Sequence, residues 1–386
     1  MSHTIDHKLD ASLITKPIMM NIPASKAFTY PILVASDLLA HPEKWLPTDW
    51  QKKRLVIITD DNVNKIYGKH LSTILEQAKP LLLSFMPGEK SKNSQIKLNL
   101  EQRMIQAHCD RDTLILALGG GVVGDIAGFI AATYMRGISY IQIPTTLLAM
   151  VDSSVGGKTG INVPQGKNLI GAFWQPTCVI ADMNCLSTLP QVHLINGLIE
   201  AIKMFATSDA KLFNYVNTNI NDILDRNTLS LKKVIEHAIK IKVNIVSSDE
   251  KENHQRMILN FGHTIGHALE KMTDYTLLHG NAVALGMLVE AKISELLGYL
   301  SPENYQIIQS LMSKLNISGH QLRVMDFDKI IQATYTDKKM KECQVRYILL
   351  NKIGEVRNDN HTVAHPVPDE IILKSLHFVK DGSNGG

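Results

Sequence analysis

Residues 113–135 read TLILALGGGVVGDIAGFIAATYM. The first six carry no charge, as in a strand covered on both faces. Glycines follow at Gly119, Gly120 and Gly121, and then an apolar segment with small residues at Gly124, Gly128 and Ala132. That spacing is a helix period, and the small side chains let the helix lie close to its neighbour. Strand, glycine turn, helix is one unit of an α/β sheet. The glycines let a backbone approach a phosphate, and the first helical turn offers free N–H groups and the positive end of a dipole. The pattern is not G-x-G-x-x-G, so a ligand-free turn is the competing reading. Asp125 has a competing reading too, as a carboxylate that only complements the helix dipole.

Working outward, short β-rich runs stand at 55–59 (LVIIT), 81–85 (LLLSF), 140–143 (YIQI) and 178–181 (CVIA). Helical patterns at 93–108 and 122–135 fit between them. The alternation predicts a Rossmann-like, mostly parallel sheet with helices on both faces. After about Pro190 amphipathic stretches dominate, at 191–205, 229–246, 253–272, 282–297 and 304–315, with one strand-like run at 345–350. We therefore expect an α/β domain over 1–185 and a helical domain over 186–386.

Composition narrows the function. The 386 residues are 45% apolar and 20% charged, which is ordinary globular usage and argues against disorder. Forty basic against 37 acidic residues, a net charge of +3, leave no electrostatic footprint for nucleic acid. Small anions need only local positive charge and stay open. Cys109, Cys178, Cys185 and Cys343 form no C-x-x-C pair, which argues against a thiolate zinc cluster and a disulfide framework. The first sixteen residues lack the apolar core of a signal peptide, and no run is long enough for a membrane helix. A cytoplasmic protein is expected.

A second glycine pair lies in VDSSVGGKT, residues 151–159. Gly156-Gly157-Lys158 resembles an anion cradle, but no glycine stands at the Walker distance before it. A flexible surface loop is the alternative. Lys167-Asn168 follows another glycine and adds donors for an anion or for sugar hydroxyls.

The strongest signal is RMILNFGHTIGHALE, residues 256–270. At ~100° per residue, Arg256, Asn260, His263 and His267 fall within about 60° of arc on a continuous helix. The remaining positions are largely apolar, so the helix should be buried and this polar stripe should line a wet cavity. Lys and Glu, the usual solvated residues, are absent from the stripe. Two histidines at i, i+4 could both bind one metal, although the H-E-x-x-H glutamate is missing. His279 opens a further helix. Glu200 and Lys203, at i, i+3, share one helix face. Alone they read as a salt bridge; in this company Glu200 is a candidate third ligand, and three protein ligands leave a position open for substrate or water.

Together LALGGGVVGDIAGFIAATYMRG, IPTTLLAMVDSSVGGKTGIN, GKNLIGAFWQP, NGLIEAIK, LNFGHTIGHALE, HGNAVALGM and the DKK near 338 closely resemble the 3-dehydroquinate synthase family of sugar-phosphate cyclases, from about residue 55 to 355. The resemblance implies an NAD-binding half and a helical metal- and substrate-binding half. It implies an enzyme of the shikimate pathway to the aromatic amino acids, converting 3-deoxy-D-arabino-heptulosonate 7-phosphate (DAHP) to 3-dehydroquinate and phosphate. The implied steps are oxidation at C5 by NAD, phosphate elimination, re-reduction, ring opening and aldol closure, with a divalent metal, usually zinc and otherwise cobalt.

By the same resemblance the metal ligands are Glu200, His263 and His279. Asp152 and Lys203 face the reacting hydroxyls, and Lys242 and Arg256 clamp the carboxylate. Lys158, Asn168, Asn260, His267 and one of Lys338 and Lys339 contact phosphate and sugar. Arg136 reaches the neighbouring subunit's site, which implies a homodimer. The NAD positions are Asp60, Asn62, Glu89, Lys92, Gly119, Gly120, Gly121, Asp125, Thr145, Thr146, Asp152, Lys158, Lys167 and Thr188. An acidic group after a strand commonly binds ribose hydroxyls, so Asp60 favours NAD over NADP.

Two departures stand out. Where the family reads HGE after the third ligand, this chain has His279-Gly280-Asn281, an amide where a carboxylate often supports a metal histidine. His193 stands where a glutamate is common. The alternatives are a sister cyclase with another sugar phosphate, a metal-dependent polyol dehydrogenase, which would release NADH, and an NAD-binding protein without turnover.

Overall fold

A computed structural model of the chain describes residues 28–250, 252, 254–274, 276–335 and 344–382. The described residues from Pro31 onward cluster into one compact unit. Its centre is a six-stranded sheet. The strands are β1 (Ile32–Ala35), β2 (Leu55–Asp60), β3 (Leu81–Phe85), β4 (Leu114–Gly119), β5 (Ser139–Pro144) and β8 (Cys178–Asp182). They lie in the order β1-β8-β5-β4-β2-β3, and every pairing is parallel.

The central strands show why their sequences carry no charge. In β2, Leu55 and Ile57 enter one hydrophobic core while Val56 and Ile58 enter another. In β4, Leu114, Leu116 and Leu118 face the first core, and Ile115 and Ala117 the second. The period of two divides each strand between two covered faces. Helices α1 (Ser94–Gln106) and α2 (Gly121–Thr133) cover the second face. A Cβ at Gly124 would meet Gln142 Oε1 at 2.6 Å, and one at Gly128 would meet Thr159 Cγ2 at 2.5 Å. The small-residue stripe thus seats α2 on strands, where a larger side chain would lift it off.

The strand order places a crevice. From β2 the chain steps outward to β3, and from β4 it steps the other way to β5. The reversal lies between the carboxyl ends of β2 and β4, which are Asp60 and Gly119. Ligands of open α/β sheets bind outside such a point.

Around the site, an edge strand and a hairpin escaped the sequence reading, as did the helices Ala210–Thr218, Phe327–Thr334 and Asp369–Asp381 farther along. β1 is a short edge strand behind Pro31. An antiparallel hairpin of β6 (Lys158–Val163) and β7 (Gly166–Phe173) begins where the segment read as an anion cradle ends, with Gly156 and Gly157 in the irregular stretch before it, and it carries Lys167 and Asn168. Its glycines and polar residues hide it from a search for apolar runs, and Leu169, Ile170 and Phe173 are exposed on β7.

After Asp182 the main sheet is complete and helices follow. Those that matter for the site are α3 (Gln191–Ser208), α4 (Thr228–Ser248), α5 (His263–Met272) and α6 (His279–Leu296). The strand-like run near 345 splits between Arg346–Ile348 and Leu350–Lys352, each paired antiparallel.

The continuous helix expected across residues 253–272 is corrected by the structure. Gln255–Asn260 is a 3-10 helix, and α5 starts afresh at His263. Gly262 between them has φ +77°, and a Cβ there would meet Val283 O at 2.6 Å. Its N–H donates to the buried Glu290 carboxylate on α6 at 2.8 Å. Crowding against α6 and a left-handed residue break the helix, and an apolar period cannot register either. Arg256 and Asn260 therefore sit on a different element from His263 and His267.

Candidate active site

Glu200 points inward from α3 and is fully buried. Its Oε2 accepts from Lys203 Nζ at 2.5 Å, one turn along the same helix. Its Oε1 has no hydrogen-bond partner. That oxygen lies 3.4 Å from His279 Nε2 and 3.7 Å from His263 Nε2. A buried carboxylate oxygen without a donor is costly unless something fills the gap. Metal bonds of 2.0–2.2 Å separate tetrahedral ligand atoms by about 3.3–3.6 Å. The ligand atoms of Glu200, His263 and His279 lie within 4.8 Å of one another, so a divalent cation fits among them.

Each of the two histidines also meets an oxygen on its far side. His263 Nδ1 lies 3.3 Å from Phe261 O, and His279 Nδ1 lies 3.2 Å from Glu270 Oε2. Without a metal, burial opposes a charge on His279, but Glu200 and Glu270 outweigh it and raise its pKa to about 10. His267 joins the group, its ring 5.3 Å from that of His263 and 6.1 Å from that of His279.

Cations surround this centre. Lys242, buried on α4, donates to Asp152 Oδ1 at 2.6 Å and to Asp152 O at 2.5 Å. Burial pushes the Lys242 pKa down, with the charge of Arg256 adding to that. Burial also works against a charge on Asp152, yet Lys242 and Lys203 hold its carboxyl well below the usual range. Arg256 is 2% exposed and reaches Gly156 O at 3.4 Å and Glu250 O. Gly156 has φ +99°, and a Cβ on it would lie 2.8 Å from Arg256 Nη2. Lys158 pairs with Glu252, which also accepts from Asn260 Nδ2 at 2.8 Å.

The other sequence-derived residues gather at the carboxyl ends of the strands. Asp60 caps the turn after β2, accepting from Asn62 N at 2.9 Å and Val63 N at 3.0 Å. Gly120 precedes α2 with no side-chain cap, which leaves the helix end open. Thr145 and Thr146 follow β5, and Thr188 follows β8 and bonds Tyr67 at 2.7 Å. Lys92 pairs with Asp125 and donates to Asn168 Oδ1 at 2.5 Å. Burial opposes the Lys92 charge, but Asp125 and Glu89 overcome this and raise its pKa. Asn162 donates to Glu89 Oε1 at 2.7 Å, tying the hairpin to the turn after β3, and accepts from Asn168 N within the hairpin at 2.9 Å. Lys167 bonds Glu270 at 2.9 Å.

Arg136 lies apart from these pairs, exposed on a tight turn with φ +67°. Lys338 and Lys339 lie outside the described residues. The sequence reading missed Asn162, Glu252 and Glu270. Glu270 carried a signal, since a carboxylate seven residues after His263 returns to the same helix face.

Comparison with known proteins agrees with this arrangement. Residues 82–196 match the family described as 3-dehydroquinate synthase N-terminal, and residues 197–340 match 3-dehydroquinate synthase C-terminal. The 3-dehydroquinate synthase of Thermoanaerobacter pseudethanolicus is 41% identical over 354 residues, covering 91% of this chain and 98% of that protein. Among solved structures, 2-epi-5-epi-valiolone synthase from Streptomyces hygroscopicus subsp. jinggangensis, with NAD+ and Zn2+ bound, superposes with TM-score 0.85 at 26% identity, covering 94% of this chain and all of that one. A 2-deoxy-scyllo-inosose synthase complexed with carbaglucose-6-phosphate, NAD+ and Co2+ gives TM-score 0.83 at 28% identity, covering 89% and 95% of the two chains. The sheet crevice, the histidine–glutamate centre and these matches over both halves lead to one conclusion: the chain belongs to the 3-dehydroquinate synthase family.

Proposed function

We propose that the chain converts DAHP to 3-dehydroquinate and phosphate, a carbon–oxygen lyase reaction that uses NAD and a divalent metal. The observation that carries this reading is Glu200 Oε1, without a hydrogen bond, facing two histidine nitrogens, with Lys203 on its other oxygen and two more buried cations close by, Lys242 on Asp152 and Arg256 at Gly156. A polyol dehydrogenase has no need of so many buried cations, whereas a substrate with a carboxylate and a phosphate does.

Glu200, His263 and His279 would hold the metal, which supplies Lewis acidity to a substrate oxygen. NAD, in the crevice of residues 1–185, would take and return one hydride at C5. Oxidation at C5 acidifies the C6 proton, so phosphate leaves by elimination, and the substrate's own phosphate accepts that proton. The protein's task is then mostly positioning. Lys203 offers a proton beside the reacting oxygen, and ionised Asp152 accepts a hydrogen bond from a substrate hydroxyl. Arg256 presents a fork to the carboxylate, with Lys242 beside it. Lys158, Asn168, Asn260 and His267 receive the phosphate and ring hydroxyls, the anion displacing Glu252 from Lys158 and Asn260. On the cofactor side, Asp60 and Asn62 would meet ribose, the Gly119–Gly121 backbone the pyrophosphate, and Glu89, Lys92, Asp125, Thr145, Thr146, Lys167 and Thr188 the remaining polar edges.

We further propose a cytoplasmic homodimer in which Arg136 completes the partner's site. Its exposure, together with that of Met135, Leu169, Ile170 and Phe173, supports this. Among the described residues, no helix is long and apolar enough to cross a membrane. The test is to incubate the purified protein with DAHP and measure phosphate and dehydroquinate. Equal amounts of both are expected. Turnover of a different sugar phosphate in place of DAHP would make the chain a sister cyclase.

A further inference from the structure

Glu270 has no role in the reading above, yet it is among the most buried acids in the chain, at 2% exposed. It sits on α5, two turns after His263. One oxygen, Oε2, lies 3.2 Å from His279 Nδ1, and the other, Oε1, accepts from Lys167 Nζ on the β6–β7 hairpin at 2.9 Å. His279 is thereby held between two carboxylates, Glu200 on Nε2 and Glu270 on Nδ1. We propose that Glu270 is the positioning residue of the metal centre in this chain, fixing the ring of His279 through Nδ1–H while Nε2 faces the metal. The proposal rests on the metal reading of Glu200, His263 and His279.

The geometry gives the reason. A metal histidine commonly donates its second N–H to a carboxylate or carbonyl, which fixes the ring and makes the coordinating nitrogen a better donor. His263 has a backbone carbonyl in that position, Phe261 O. The α6 end that carries His279 has Asn281, an amide, two residues on. The carboxylate comes instead from α5, across the helix–helix contact. His267, Glu270 and His279 are also close enough to hold a cation themselves. The Lys167 ammonium on Glu270 Oε1 argues against that, since a second cation would have to displace it.

The test is metal binding, not turnover. Metal-free protein is titrated with Zn2+ and with Co2+ against a competing chelator, for wild type, E200Q and E270Q. One metal per wild-type chain is expected, with affinity falling about 10–100-fold in E270Q, the usual cost of losing such a partner, and further in E200Q. The Co2+-loaded protein adds a spectroscopic readout. Proton NMR should show two solvent-exchangeable shifted signals, from the Nδ1–H groups of His263 and His279. E270Q should move or abolish one and leave the other. In wild type the His279 proton should exchange slowly, although its side chain is 32% exposed. Exchange as fast as that of a free imidazole would overturn the proposal without any variant. So would wild-type affinity and two unmoved signals in E270Q, or a second metal lost in E270Q, which would make Glu270 a ligand. Unchanged affinity in E200Q would instead overturn the metal reading itself.

Discussion

Glu200 and His279 approach to 3.4 Å across a space in which the glutamate oxygen has no hydrogen bond, while its other oxygen is held by Lys203. That spacing is the one two ligand atoms of a shared tetrahedral metal ion adopt. Glu200→Gln should therefore weaken metal binding by about a hundred-fold or more, beyond the usual loss for an outer partner. NAD affinity should stay near wild type, because Glu200 is not among the residues proposed to meet the cofactor. Equilibrium dialysis with both ligands checks the two halves of this expectation.

The same pair gives a pH dependence. In the metal-free chain the His279 pKa stands at about 10, above the ~6.5 of an unfolded chain. A raised folded value adds stability that is complete below the unfolded pKa and is lost as pH climbs through the folded one. This contribution should thus fade between about pH 6.5 and 10. A metal on Nε2 must displace a proton across that window, so binding at about pH 8 should release close to one proton per metal. Calorimetry in two buffers of different ionisation heat measures this directly. Zero protons released would mean that His279 is already neutral.

Arg256 tests the assignment of ligands to elements. It lies on the 3-10 helix with its guanidinium at Gly156 O and Glu250 O. Arg256→Ala removes a charge-assisted contact worth about 1.5–3 kcal/mol, which corresponds to a rise of roughly 10–100-fold in KM for the carboxylated substrate. Arg256→Lys should recover little, since a lysine cannot form the fork. Collapse of NAD affinity with substrate affinity intact would reverse the assignment.

Gly156 supports that arginine by being small. With φ +99° and a Cβ 2.8 Å from Arg256 Nη2, Gly156→Ala is both strained and crowded. The backbone strain alone should cost about 1–3 kcal/mol, visible in the denaturant midpoint. The displaced guanidinium should raise KM for substrate more than it lowers kcat.

The sheet was legible because doubly covered strands leave long uncharged runs: β2, β3, β4, β5 and β8 all lie where LVIIT, LLLSF, TLILAL, YIQI and CVIA stand. β6 and β7 were not, because a hairpin with half-exposed, glycine-rich strands leaves no such run. His263 and His267 share a face as the helix period requires. The same period misled at Arg256 and Asn260, because the break at Gly262 is imposed by α6, the next helix along, through Val283 and Glu290. Glu200 and His279 lie 79 residues apart, and only the packing of α3 against α6 brings them together. The pairing of Lys242 with Asp152 and of Lys167 with Glu270 is equally tertiary.

In the proposed reaction one site oxidises and re-reduces its substrate while expelling phosphate. The most direct measurement is a time course with metal-loaded, NAD-loaded protein and DAHP, following the reduced-nicotinamide absorbance and phosphate together. Phosphate release with no net NADH is expected, lost when either metal or NAD is removed and restored when it is returned. NADH accumulating in step with substrate, without phosphate, would contradict it and make the protein a simple dehydrogenase.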